Sequence, residues 1–293
     1  MPGYSISTAT LAIGAVLAAA AAGCGTARAG STEVARAPHS AELPRPDRSA
    51  PPSALEFAPD RPFYVPGERM RWNVTWMGVT GGVAGLAVGE PGQIDGRPVL
   101  VVRSESRSEG LMARLREVHD QSFTKLDLES AQPLAFEGDV VFGERSSRIV
   151  TTFAPPRVSF QYQRAGRREI RWTQRLPSGS TIHNLHSAIG ALRAWRPKRG
   201  EKASFYAVSG RRLYRIDLEA RGSDNVDTPL GRLPTLRIHG TAQRLLRSLA
   251  DDPRRKPRVF DVWVTDDVNR LPVWVKGHTE YGDVEVSLVD YKR

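Results

Sequence analysis

A helical apolar period is sustained in only one place along this chain, from His183 to Trp195. Leu185, Ala188, Ile189 and Leu192 fall at i, i+3, i+4 and i+7, and Trp195 closes the stripe, so one apolar face runs for about three turns. A lone helix with such a face needs a sheet to cover it, and β-type sequence surrounds it on both sides. The pattern predicts a mainly β fold in which a large curved antiparallel sheet packs on one central α-helix, with Leu185, Ile189 and Leu192 as packing residues. Asn184 is placed to cap the N-terminus, Arg193 and Arg196 lie near the negative end of the helix dipole, and Pro197 and Gly200 end the helix.

The strands announce themselves by alternation. Met70, Trp72, Val74 and Trp76 alternate with Arg71, Asn73 and Thr75, the period of a strand buried on one face, and Gly78 breaks the run. The last three strands, 259–265, 271–279 and 284–291, are the clearest. Asp266, Asp267 and Asn269 turn the chain between the first two, and Gly282 with Asp283 between the second two. Gly110 to Arg116, with Leu111 and Leu115 at i, i+4, reads as a short helical turn. Counting every such run gives about thirteen strands against one real helix.

The N-terminal sixty or so residues have a different character. Leu11 to Ala22 is an uncharged, alanine-rich run, too short to span a bilayer and suited to the core of a signal peptide. It ends at Ala21, Ala22, Gly23 and Cys24, which resembles a bacterial lipobox with Cys24, the single cysteine, as the lipidated residue. An ordinary secretory signal is the competing reading. Residues 25–62 are rich in Ala, Pro, Ser and Arg without an apolar period, as expected of a disordered tether. The chain thus divides into a signal peptide with lipobox (1–24), a tether (25–62) and one β-rich domain (63–293). Roughly 230 residues suffice for a core that needs no disulfide. The address implied is the periplasmic side of the cell envelope, held to the membrane by the lipid anchor. Gly25 in place of an aspartate after the cysteine points to the outer membrane.

A formal charge of +10 invites a nucleic-acid reading. The basic residues are mostly arginines in short clusters, with no groove-reading helix or stacking motif beside them, so no nucleic-acid partner is expected. They solvate the surface or attract anionic lipid or polysaccharide.

Familiar catalytic chemistry is missing: the sequence has no Gly-x-Ser-x-Gly elbow, and Ser178 sits in a loop-type setting. No catalytic residue and no cofactor is expected. His183 and His186, three apart at the helix start, with His119 beside Asp120, are weak candidates for a metal, weighed against helix-end and surface histidines. Trp72, Trp76, Phe136, Tyr206, Trp263 and Trp274, together with the helix, form either a filled core or a cavity for an acyl chain or other apolar ligand.

Three places carry a resemblance. The opening from Val65 through Gly67 and Glu68 to Trp76 and Gly78, the helix Leu185 to Arg193, and the run from Trp263 through Asp266, Asp267 and Asn269 to Pro272 resemble the bacterial domain of unknown function 3108 (DUF3108) family. The match runs over almost all of 63–293. It implies an exported or lipid-anchored protein without an established activity, and an open or half β-barrel holding a helix. His186 and Gly190 stand where the resemblance leads one to expect an acidic or polar residue and a large apolar one. The function expected is that of a non-catalytic envelope lipoprotein binding a lipid or other apolar envelope molecule between sheet and helix. A structural or assembly partner of an envelope protein complex is the alternative, and an enzyme the third.

Overall fold

From Arg69 onward buried and exposed side chains alternate along strand after strand, and one sheet collects them. The computed structural model describes residues 63–293 apart from 116, 280 and 281; the expected signal, Cys24 and the tether lie outside the described residues. In chain order the elements are β1 (Arg69–Trp76), β2 (Val79–Val88), β3 (Gly92–Ile94), β4 (Arg97–Ser108), α1 (Gly110–Leu115), β5 (Val118–Asp127), β6 (Pro133–Phe142), β7 (Arg145–Ala154), β8 (Arg157–Arg164), β9 (Ile170–Arg175), β10 (Ile182–His183), α2 (Leu185–Ala194), β11 (Lys202–Ser209), β12 (Arg212–Thr228), β13 (Gly231–Arg244), β14 (Arg258–Thr265), β15 (Pro272–Thr279) and β16 (Gly282–Lys292).

The fold is mainly β, a single open sheet of 16 strands in the order β10 to β16, then β1, β2, β4 and on to β9, with β3 paired only to β4. All neighbours are antiparallel except β10 and β11. Pairing of β1 with β16 joins the two ends of the domain sequence. Val262, Val275, Val286 and Val74 stand opposite one another across four strands, one row of an apolar inner face that also holds Trp72 and Leu288. The strand count exceeds the thirteen expected in part because β3 and β10 have three and two residues, too few to display alternation.

Helix α2 lies against this inner face and corrects the one-sided expectation. Every residue from His186 to Ala194 is buried, so the helix is enclosed on all sides rather than amphipathic. Small residues make that possible. A Cβ on Gly190 would lie 2.9 Å from Phe63 Cδ2 and 3.2 Å from Tyr64 Cε2, which is why glycine stands there and a large side chain does not. The cap is reciprocal: Ser187 N donates to the Asn184 side chain at 3.0 Å, and Asn184 N donates to Ser187 Oγ at 3.0 Å.

The last helical turn is held by charge. Arg193 Nη2 donates to Glu68 Oε2 at 3.0 Å and Arg193 Nε to the Asn269 carbonyl at 3.0 Å, while Tyr291 Oη donates to Glu68 Oε2 at 3.2 Å. Glu68 is fully buried and the Arg193 side chain is 4% exposed. Arg270 Nη2 donates to the carbonyl of Trp195, the C-cap, at 2.9 Å. One ion pair therefore ties the residue before β1 to the helix, the β14–β15 turn and β16.

The sheet does not close by hydrogen bonding; its ends overlap. Ala203, Phe205 and Ala207 of β11 join the core around the helix, whereas the alternate residues Tyr206 and Val208 join a second cluster with Ile149, Phe153, Val158 and Phe160. Strands β7 and β8 thus cover the face of β11 turned away from α2. Gln174 Nε2 donates to the Arg247 carbonyl at 3.0 Å across this overlap.

Two substitutions test how the helix is held. Gly190→Val overpacks against Phe63 and Tyr64 and lowers stability by about 1–3 kcal/mol in urea denaturation. Arg193→Met leaves Glu68 buried and unpaired and costs about 3–5 kcal/mol, most of which the double variant Glu68→Gln/Arg193→Met restores. A double variant no more stable than Arg193→Met would contradict this account.

Candidate functional site

The residues expected to line one cavity separate into four groups. Trp72, Ile189 and Leu192 are buried around the helix, with Leu185 partly buried against them. Trp72 Nε1 donates to the Pro272 carbonyl at 2.9 Å. Trp76 ends β1 and is 38% exposed, so it is not a core residue. Trp263 and Trp274 alternate with Val262 and Val275 and therefore point to the opposite face, where their rings stack at 4.9 Å and Trp263 Nε1 donates to Asp224 Oδ2 at 3.0 Å, although Trp263 is buried in the same apolar cluster as Trp72 and Trp274 packs against it. Phe136 and Tyr206 belong to the second cluster, between the overlapping ends. The residues between helix and sheet pack as core, and the nine do not converge on one ligand.

The histidines divide in the same way. His119 and Thr124 lie an odd number of residues apart on β5 and so face opposite sides. His119 Nε2 is 3.2 Å from Glu105 Oε1, whereas His186 Nδ1 is 2.6 Å from Thr124 Oγ1 on the helix side. The three candidate metal ligands are therefore not brought together. His183 and His186 seat the helix: His183 packs edge-on against Phe205 at 5.1 Å and lies 3.1 Å from Ser187 Oγ, and Tyr64 Oη donates to the His186 carbonyl at 2.7 Å. Burial pushes both imidazoles down to about 3, so they are neutral at neutral pH.

A concave site lies elsewhere, in the overlap. A pocket of about 310 Å³ is walled on one side by Phe160 of β8 with Ile170 and Trp172 of β9, and on the other by Leu213, Arg211, Arg212, Arg244 and Arg247. Antiparallel order explains the meeting, because the β11–β12 turn and the chain leaving β13 emerge at the same rim of the sheet as the start of β9. Phe160 and Trp172 are register partners whose rings stack at 4.7 Å with an interplanar angle of 5°. Arg211 lies 4.2 Å from the Tyr162 ring centroid, and Arg247 lies 5.9 Å from that of Trp172. Burial holds the Arg212 guanidinium below its ordinary value, and the like charges of Arg244 and Arg211 act in the same sense, with Asp252 opposing. Asp252 also pairs with Arg244 at 3.3 Å. An apolar aromatic floor facing clustered guanidinium groups suits a ligand with an acidic head and an apolar body.

Nothing in the sequence marks these pocket residues as ligand contacts; Arg211 and Arg212 form one of its short arginine clusters. Ile170 and Trp172 alternate as strand residues, but nothing local shows that the face they share meets arginines about forty to seventy-five residues later.

The buried histidines give a pH dependence of known sign. Their folded values of about 3 lie below the ordinary 6.5, so the unfolded chain binds more protons between these limits. Stability is fully present above 6.5 and falls as the pH is lowered toward 3, by at most about 1.4 kcal/mol per pH unit for each histidine. Urea midpoints over this range check it, and His186→Gln reduces the slope.

A comparison with curated protein sequences finds no match. Among solved structures, the chain is similar to a β-barrel-like protein of domain of unknown function DUF1849 from Brucella abortus, with 12% identity, a TM-score of 0.48, and coverage of 78% of this chain and 98% of that one. A protein from Bacteroides fragilis described as exported with a YmcC-like fold gives 8% identity, a TM-score of 0.36 and coverage of 80% and 98%. One described as a lipoprotein from Parabacteroides distasonis gives 9%, 0.32, and coverage of 79% and 99%. Residues 71–289 match the family model "Protein of unknown function (DUF3108)", and the chain belongs to that family.

Proposed function

We propose that the protein is a non-catalytic binding protein of the cell envelope that holds an amphipathic anion in the pocket between the overlapping sheet ends. One observation carries the reading: stacked Phe160 and Trp172 share a pocket with Arg211, Arg212, Arg244 and Arg247, four guanidinium groups beside which Asp252, paired with Arg244, is the carboxylate. An anionic head there relieves the mutual repulsion of Arg211, Arg212 and Arg244, and an apolar body covers the rings. The volume lies at the lower end of the range for small-molecule sites, which favours a single-chain amphiphile. This moves the ligand from the helix–sheet interface expected from sequence to the rim of β12 and β13, where the sheet ends overlap. The signal-like segment and Cys24 support export and anchoring on the periplasmic side, with Gly25 favouring the outer membrane.

Isothermal titration tests the ligand class. Dodecyl phosphate binds and dodecyl maltoside does not, and Arg212→Ala or Arg244→Ala weakens binding about tenfold or more while the circular dichroism spectrum is unchanged. Equal affinity for the two detergents, or retention in both variants, removes the reading. Anchoring is tested separately by labelling cells with radioactive palmitate; incorporation disappears in Cys24→Ala, and incorporation that survives the substitution rules out Cys24 as the anchor.

A further inference from the structure

The rim where β1 ends and β2 begins also receives the β8–β9 and β11–β12 turns and the excursion 245–257 between β13 and β14, because alternate connections of an antiparallel sheet share one end. Apolar exposure concentrates there. Of ten exposed large hydrophobic residues among those described, six lie at this rim: Trp76, Met77, Val79, Ile170, Leu246 and Val259. The β1–β2 tip is the sharpest case, with Met77 67% and Val79 57% exposed.

Backbone conformation makes Met77 informative. It has φ +49° and Gly78 φ +81°, the left-handed pair of a two-residue hairpin turn, whose first position favours Asn, Asp or Gly. An unbranched apolar side chain in that conformation, lying along Gly282 with most of its surface exposed, serves neither the turn nor solubility. A local rule broken at an exposed tip marks a place used for something else.

Basic charge lies farther along the same rim, whereas the tip itself adjoins Asp283, whose carbonyl accepts from Met77 N at 3.0 Å. Residues 211–212 and 244–258 carry eight Lys or Arg against two acidic residues, Asp251 and Asp252. They cluster in space, since Arg244, Arg258, Arg212 and Arg255 all act on the Tyr214 phenol. Four strand spacings separate β13 from β1, roughly 19 Å along the sheet. An apolar wedge beside a basic field is the combination that an interface of acyl chains and anionic headgroups accepts. A second copy of this rim would meet the first with like charge, which disfavours self-association.

We infer that this rim docks on an anionic lipid bilayer, with the Trp76–Val79 tip inserted and the basic excursion over the headgroups. Docking does not require the pocket to be occupied, and it places the pocket on the side of the protein that faces the lipid.

The test uses residues 24–293 carrying Cys24→Ala, so that neither the apolar run 11–22 nor an acyl chain contributes, in sedimentation with vesicles of phosphatidylglycerol and phosphatidylcholine in equal parts or of phosphatidylcholine alone. Binding to the anionic vesicles is expected to exceed that to neutral ones by about tenfold or more. Met77→Asn suits the turn, so it leaves the melting temperature unchanged or higher while weakening vesicle binding about fivefold. Arg254→Ser/Lys256→Ser weakens it about tenfold. Lipids brominated on the acyl chain quench the wild-type emission, and Trp76→Phe removes that component. Equal binding to both vesicles, or full binding by Met77→Asn and by the charge variant, overturns the inference. Self-association or capture of a protein partner that needs Met77, without vesicle binding, overturns it as well. Dodecyl phosphate affinity is expected to be the same in these variants, so loss of docking and loss of the pocket ligand are read apart.

Discussion

A buried ion pair sets the conditions under which the rest of this structure forms. Glu68 and Arg193 meet inside the core, 125 residues apart, and each satisfies the other only when α2 lies in its seat. A charge in that position without its partner is among the costlier defects a protein interior can carry. The pair is therefore better understood as a device for a unique arrangement than as a source of net stability. It admits one register of helix against sheet, because sliding α2 by a turn would move Arg193 about 5 Å from the carboxylate.

How much of this was readable in the residues depends on how local each cause is. The helix 185–194, its Asn184 cap and the first strand from Met70 to Trp76 follow from periodicity and capping chemistry confined to a few neighbouring positions. The full enclosure of α2 was not readable from its apolar stripe, because His186, Ser187 and Arg193 are polar by type and buried only through partners supplied by Thr124, Asn184 and Glu68. Tertiary hydrogen bonding overrode the amphipathic pattern. Trp76 failed as a core residue for a simple geometric reason: it keeps the phase of Trp72 but lies at the strand's end, where the sheet no longer covers it.

The pocket was illegible for a different reason. Its walls come from opposite ends of a long sheet, and their proximity depends on curvature accumulated over many strands. Alternation along Tyr206 and Val208 carries no mark that says the outward side of β11 will also be buried. The second apolar cluster was the only available sign, and it becomes visible only when both faces of one strand are seen to be covered.

Overlap at the sheet ends changes what an edge strand means in this molecule. Open sheets expose unpaired backbone at their margins, a standing invitation to pair with another chain. Here the faces of β7 to β9 are engaged over β11 and β12, so the two margins are held by apolar packing on a curled surface instead of by a hydrogen-bonded seam. Such a roll has a degree of freedom that a closed barrel lacks, since its ends can slip or part without breaking a ladder. A molecule lodged between the layers acts on that freedom directly: it favours the rolled form by mass action, and its release is coupled to loosening of the cuff.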